Sequence, residues 1–220
     1  MRKLLRENGL SIALFGLFLV FLVAQIFTGW HSYDADQLAH GAQAIGLGSY
    51  LTTGHFVEAV FENWESEFLQ MASYIVLTVW LVQKGSAESK PLDGDPELDA
   101  DPRLSNAPAD APGPVRRGGK LLTIYERSLG LAFAILFLLS FGLHAWGGAR
   151  AYSEEQKQHK EAPVSVAGYM TTSQFWFESF QNWQSEFLAV GSIVVLSIFL
   201  RQRGSPESQS VATPHAKTGT

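Results

Sequence analysis

Asn63, Ser66 and Glu67, and again Asn182, Ser185 and Glu186 119 positions later, are the residues of this chain whose types and spacing offer chemistry. Each triplet lies in an Asn-Trp-x-Ser-Glu-Phe-Leu segment, residues 63–69 and 182–188. At 100° per residue, a helix carries the three polar side chains, with Gln70 in the first copy, on an arc of about 100°. Phe61, Trp64 and Phe68 gather on the far side, as do Phe180, Trp183 and Phe187. A carboxylate beside an amide and a hydroxyl on an otherwise apolar helix supports two chemistries. It can act as a polar clamp that hydrogen-bonds a neighbouring helix, or as a site that handles a proton or small cation. Gln25 and His144 stand at similar depth in the other apolar stretch of each copy and are the expected partners of Glu67 and Glu186. His144 adds a titratable group. Because Gln25 takes its place in the first copy, a symmetric mechanism does not require it. Trp64 and Trp183 read as interfacial aromatics.

The elements that must position these residues come in duplicate. Glu7–Ser89 laid over Glu126–Ser208 gives 30 identities without a gap. Leu10 to Phe27 and Leu129 to Trp146 are 18-residue stretches without a formal charge, near the length that crosses a hydrocarbon layer of roughly 30 Å. The second apolar stretch of each copy, Phe68 to Val82 and Phe187 to Leu200, is shorter, about 21 to 23 Å as a helix. To cross, it must extend back through the repeated segment, which sets Glu67 and Glu186 at the edge of the hydrocarbon. The pattern predicts an all-α integral membrane four-helix protein made of two parallel tandem repeats of a helical hairpin. Residues 1–83 form the first hairpin, with spans at about 10–27 and 64–82, and residues 121–203 the second, with spans at about 129–146 and 183–200. Residues 84–120, rich in Pro, Asp, Ala and Gly, read as a disordered cytoplasmic linker, and 204–220 as a disordered tail. With the termini and linker inside, 13 of the 16 Lys and Arg residues fall on the inner side, leaving Arg150, Lys157 and Lys160 outside. That bias predicts cytoplasmic N- and C-termini and copies related by an axis along the membrane normal.

The repeat also filters other readings. Met1 to Asn8 followed by an apolar stretch resembles a signal peptide, with Ala24 a weak cleavage position. The same element recurs inside the chain, so it is expected to be retained as a span. His55, Glu58 and Glu62 lie at i, i+3 and i+7 with ligand chemistry, but Gln174, Phe177 and Gln181 replace them in the second copy, so no metal is expected. His40 and His159 match across copies in polar segments and read as surface residues. The chain has no cysteine, which excludes disulfide and thiol chemistry. It carries no nucleophile elbow, P-loop, dinucleotide fingerprint or H-E-x-x-H, and no cofactor is expected. Gly-Ser-x-Glu-Ser after each second span, 85–89 and 204–208, reads as a helix stop. Arg116, Arg117 and Lys120 read as the anchor before the third span, and nucleic acid is not an expected partner.

The opening Arg6-Glu7-Asn8-Gly9-Leu10-Ser11, the stretch Thr53 to Phe56 and the run Phe61 to Gln70 resemble an uncharacterised family of bacterial membrane proteins, defined only as a domain of unknown function. The resemblance covers most of the chain outside the linker and tail. It implies a bacterial inner membrane and supplies no activity. The second copy departs from it with Gln184 for Glu65 and Ala189 for Gln70. The expected function is non-enzymatic, structural or partner-binding, in the cell envelope. Its expected partners are the lipid bilayer and a second copy or another membrane protein. On that reading, replacing both Glu67 and Glu186 by Gln leaves folding and phenotype nearly intact. Proton or small-cation permeation through Glu67 and Glu186 is the alternative, and only there is a small ion a partner. A membrane enzyme acting at the outer face is a third class.

Overall fold

The computed structural model describes residues 2–103 and 108–219, and among them every regular element is a helix. In chain order these are α1 (Arg2–Ala39), α2 (Leu47–Tyr50), α3 (Gly54–Trp80), α4 (Gly113–Arg117), α5 (Gly119–Tyr125), α6 (Ser128–Gln158), α7 (Val166–Tyr169) and α8 (Ser173–Phe199). The expectation of four apolar spans is corrected to three: α1, α6 and α8 are long and apolar enough to cross a membrane. The 27 residues of α3 give it the length. Its stretch from residue 58 to residue 70, however, carries Glu58, Glu62, Asn63, Glu65, Glu67 and Gln70, which dilute every window along it.

The long helices outrun the apolar stretches, and local chemistry explains where they start and stop. Thr53 and Thr172 cap α3 and α8: each hydroxyl accepts from the backbone N–H three residues on, Phe56 at 3.2 Å and Phe175 at 3.3 Å. The first expected span ends at residue 27, yet α1 continues to Ala39, where Gly41 turns left-handed at φ +79°. There Ala42 N donates to Gln37 O at 2.9 Å and Gly41 N to Leu38 O at 3.1 Å, the double closure of a Schellman cap. Beyond α6 the same closure recurs 119 residues later, Glu161 N to Gln156 O at 2.8 Å and Lys160 N to Lys157 O at 3.0 Å. Here the left-handed residue is Lys160, at φ +64°.

Contacts divide the chain into two compact units, Met1–Phe61 with Gly142–Trp176, and Glu62–Phe141 with Phe177–Thr220. Each draws on both sequence copies, so the units do not coincide with the hairpin boundaries. In the first unit Tyr50, Phe56 and Tyr33 cluster, with ring centroids 5.4 Å (Tyr50–Phe56) and 5.7 Å (Tyr33–Tyr50) apart. Tyr169, Phe175 and Tyr152 cluster likewise, at 5.4 and 5.6 Å. Tyr50 lies against Gly29 and Tyr169 against Gly148, where any Cβ would collide with the phenol. Asp34 Oδ1 holds Ile45 N at 2.9 Å, and Ser153 Oγ holds Val164 N at 3.0 Å. Positions 119 apart therefore make the same contact, even where the side chain differs. Helices α3 and α6 approach closely in this unit. A Cβ on Gly147 would meet Glu58 N at 2.6 Å, and one on Gly54 would meet Gly147 O at 2.6 Å. Small residues allow such backbone approach between apolar helices.

In the second unit the usual arrangement of a water-soluble core is inverted. Glu65, Ser66, Ser86, Ser140, Ser179 and Ser197 are buried, while Leu136, Leu138, Leu139, Leu188, Val195 and Leu196 are exposed. In the first unit the apolar window of α1 is likewise 0% buried. Apolar surface on this scale is costly in water and natural against lipid. Residues expected to be linker and tail make turns in this unit: Ser86 Oγ lies 2.9 Å from Ser197 Oγ, Gly85 N donates to Thr218 Oγ1 at 2.8 Å, and Gly219 N to Ser86 O at 3.0 Å. The rest of the expected linker includes α4 and the start of α5; its residues 104–107 lie outside the described residues.

Candidate functional site

The repeated segment sits where α3 and α8 meet in the second unit. Trp183 Nε1 donates to Glu65 Oε1 at 3.1 Å, and Glu65 is 0% exposed. One helical turn along, Gln70 Nε2 donates to the backbone carbonyl of Glu186 at 3.1 Å. The indole is further fixed by Phe180 and Phe137, edge-on at 5.5 and 6.2 Å. A hydrogen bond that meets a buried side-chain acceptor spares it the cost of an unsatisfied polar group. Trp183 thus does more than mark an interface. Glu65 and Gln70, which supply these two bonds from α3, are residues that the second copy lacks.

The residues that both copies share are placed differently. Ser66 Oγ donates to Asn63 O at 2.7 Å and Ser185 Oγ to Asn182 O at 2.8 Å, so both hydroxyls turn back onto their own helix. Asn182 Nδ2 donates to Glu178 O at 3.2 Å. Ser66 is buried, Ser185 and Asn63 are exposed, and Trp64 and Asn182 are half-buried. Glu67 is exposed and Glu186 half-buried, and the two carboxylates are close enough for their charges to act on each other. Neither carboxylate enters a salt bridge among the described residues.

Gln25 and His144, expected beside Glu67 and Glu186, belong to the first unit, and each has company there. Gln25 Nε2 donates to Ala59 O at 3.2 Å. His144, 0% exposed, stacks on Phe175 with centroids 4.9 Å apart. A ring nitrogen of His144 and a carboxylate oxygen of Glu58 lie within 4.8 Å, and Tyr169 Oη donates to Glu58 Oε1 at 2.9 Å. Sequence reasoning passed over Tyr169 and weighed Glu58 only with His55 and Glu62. The signal available was the match of Tyr169 to Tyr50. Glu58 and His144 thus bring two side chains of ligand chemistry together in this unit; Glu178, of like chemistry on α8, belongs to the second unit. The helical face His55, Glu58, Glu62 does not converge as a ligand set, because His55 faces the rings of Tyr33 and Tyr50 at 5.3 and 6.0 Å.

The two Gly-Ser-x-Glu-Ser segments form the same turn. Ser89 Oγ accepts from Gln83 N at 2.9 Å and Ser208 Oγ from Gln202 N at 2.9 Å. Gly85 and Gly204 take φ +87° and +86°. The helices themselves end earlier, at Trp80 and Phe199, so each turn follows the helix end and does not form its stop. Glu88 accepts from Tyr74 Oη at 3.1 Å. Burial pushes its carboxyl above the ordinary value; the Tyr74 hydrogen bond works against this, and the charge and hydrogen bond of Glu207 add to it.

Among the described residues the architecture is all-helical, and three helices are long and apolar enough to span a bilayer, which points to the class of helical membrane proteins. The chain belongs to the family described as a domain of unknown function, DUF6766, whose profile matches residues 1–220. No curated protein and no solved structure matches it.

Proposed function

We propose that this protein is a non-enzymatic helical scaffold of a bacterial inner membrane, built by tandem duplication of a hairpin. Its repeated polar segment serves to clamp α3 to α8. The observation that carries the reading is the bond from Trp183 to buried Glu65, seconded by Gln70 on the Glu186 carbonyl. Duplication supplied the helices, and divergence of Glu65 and Gln70 in one copy made the contact between unlike residues. In this reading the polar half of α3 is turned from lipid, and the N-terminus lies on the cytoplasmic side. Partners are the bilayer itself and a second copy or another membrane protein. The test is thermal unfolding of the purified protein in detergent. Glu65→Leu, which removes the acceptor, and Gln70→Ala should each lower the midpoint, while Glu67→Gln with Glu186→Gln should leave it unchanged. The reverse ranking would sink the clamp.

A second reading, passage of a proton or small cation, draws on the nearness of Glu67 and Glu186. Two carboxylates whose charges act on each other favour a proton or a small cation between them. This reading requires gradient-driven flux that depends on both.

A further inference from the structure

The three outer cations expected from the sequence, Arg150, Lys157 and Lys160, have no counterpart in the first copy, where His31, Leu38 and Gly41 stand. In the first unit, two of them line a cavity of about 350 Å³, together with Trp146, Ser153, Glu154 and Ser165. Trp146, Arg150, Ser153, Glu154 and Lys157 recur at helical spacing on one face of α6. The Arg150 guanidinium lies 4.8 Å over the Trp146 ring, which holds it at the end of the apolar stretch. Neither Arg150 nor Lys157 forms a salt bridge among the described residues. The cavity's one carboxylate, Glu154, accepts from Tyr33 Oη at 3.3 Å. Ser165 Oγ accepts from Gly168 N at 3.0 Å, which leaves its own proton to donate.

Two cations that are not ion-paired, a hydroxyl and an indole at the level of the lipid headgroups make a receptor for an anion. The planar fork of Arg suits tetrahedral oxyanions, and Lys adds a point charge. The volume lies within the range of small-ligand pockets, about 300–1,000 Å³. We propose that this cavity binds a phosphate-bearing anion through Arg150 and Lys157. The anion comes either from a phospholipid headgroup or from free phosphate.

The test uses the full chain, purified and delipidated in detergent. Native mass spectrometry counts retained phosphatidylglycerol after exposure to phosphatidylglycerol–phosphatidylcholine mixed micelles, and calorimetry titrates inorganic phosphate. The expected result is one anionic ligand per chain, with affinity at least tenfold weaker in Arg150→Gln/Lys157→Gln. Phosphatidylglycerol retained against excess phosphate assigns the site to lipid; phosphate binding without lipid retention assigns it to the free anion. Either supports the site. Should the double variant unfold, Lys157→Gln alone, a change at an exposed residue, must still weaken binding severalfold. Equal binding by wild type and variants, or no binding of either probe, overturns the proposal.

Discussion

The indole of Trp183 donates to the carboxylate of Glu65 at 3.1 Å, and the carboxylate is fully buried. A buried acceptor that loses a donor keeps part of its desolvation cost. Trp183→Phe is therefore expected to destabilise by about 1.5–2 kcal/mol through the lost hydrogen bond. Glu65→Leu combined with Trp183→Phe should cost less than the sum of the two single changes. A double-mutant cycle by chemical unfolding in mixed micelles measures this. The expected coupling is about 1.5–3 kcal/mol, and additivity within error would contradict a direct clamp.

Close approach of α3 and α6 makes a second prediction. Gly147→Ala drives a Cβ against the backbone nitrogen of Glu58, which cannot swing aside as a side chain would. Gly142, on the same helix, has open space at its Cβ. Gly142→Ala should be neutral, or stabilising by up to about 1 kcal/mol through helix propensity, and Gly147→Ala clearly destabilising. Thermal midpoints of the two variants give the comparison directly.

Lys160 occupies at φ +64° the position that Gly41 holds in the first copy. A left-handed conformation costs a non-glycine residue roughly 1 kcal/mol. Lys160→Gly is expected to stabilise the end of α6 by about that amount, and Gly41→Ala to destabilise α1 comparably. Hydrogen exchange at residues 155–162 reads the first effect locally. Faster exchange in Lys160→Gly would refute it.

The pH dependence carried by Glu88 follows from the direction of its shift. A carboxyl raised above its unfolded value near 4.5 binds its proton more tightly in the folded state. Its contribution to stability is full below that unfolded value and is lost as pH rises through the folded value. Glu88→Gln, which keeps an acceptor for Tyr74, should remove this loss. Melting curves between pH 4 and 8 should converge at low pH and separate in the variant's favour above it. Parallel curves would show that Glu88 is not the group concerned.

Much of the fold was legible because its signals are local. The Gly-Ser-x-Glu-Ser turns and the apolar stretches of α1, α6 and α8 each depend on a few consecutive residues. The extension of α1 to Ala39 was not, since its stop is a Schellman closure at Gly41 and not the end of the apolar run. The candidate site was half legible. Repetition drew attention to Glu67 and Glu186, yet the buried carboxylate is Glu65. Searching for what both copies retain discards any contact between unlike residues, and the clamp is such a contact. The reciprocal bond would join Gln184 to Trp64; instead Gln184 Nε2 donates to Gln181 O of its own helix at 3.1 Å.

Whether the repeated segment is a clamp or a pathway is decided most directly by flux through the wild-type protein. Purified chain in liposomes, with a pH-sensitive dye inside and an imposed proton or potassium gradient, should leak no faster than protein-free vesicles. Glu67→Gln with Glu186→Gln should behave identically. Gradient-driven flux in the wild type that disappears in the double variant would contradict the clamp and make Glu67 and Glu186 the pathway.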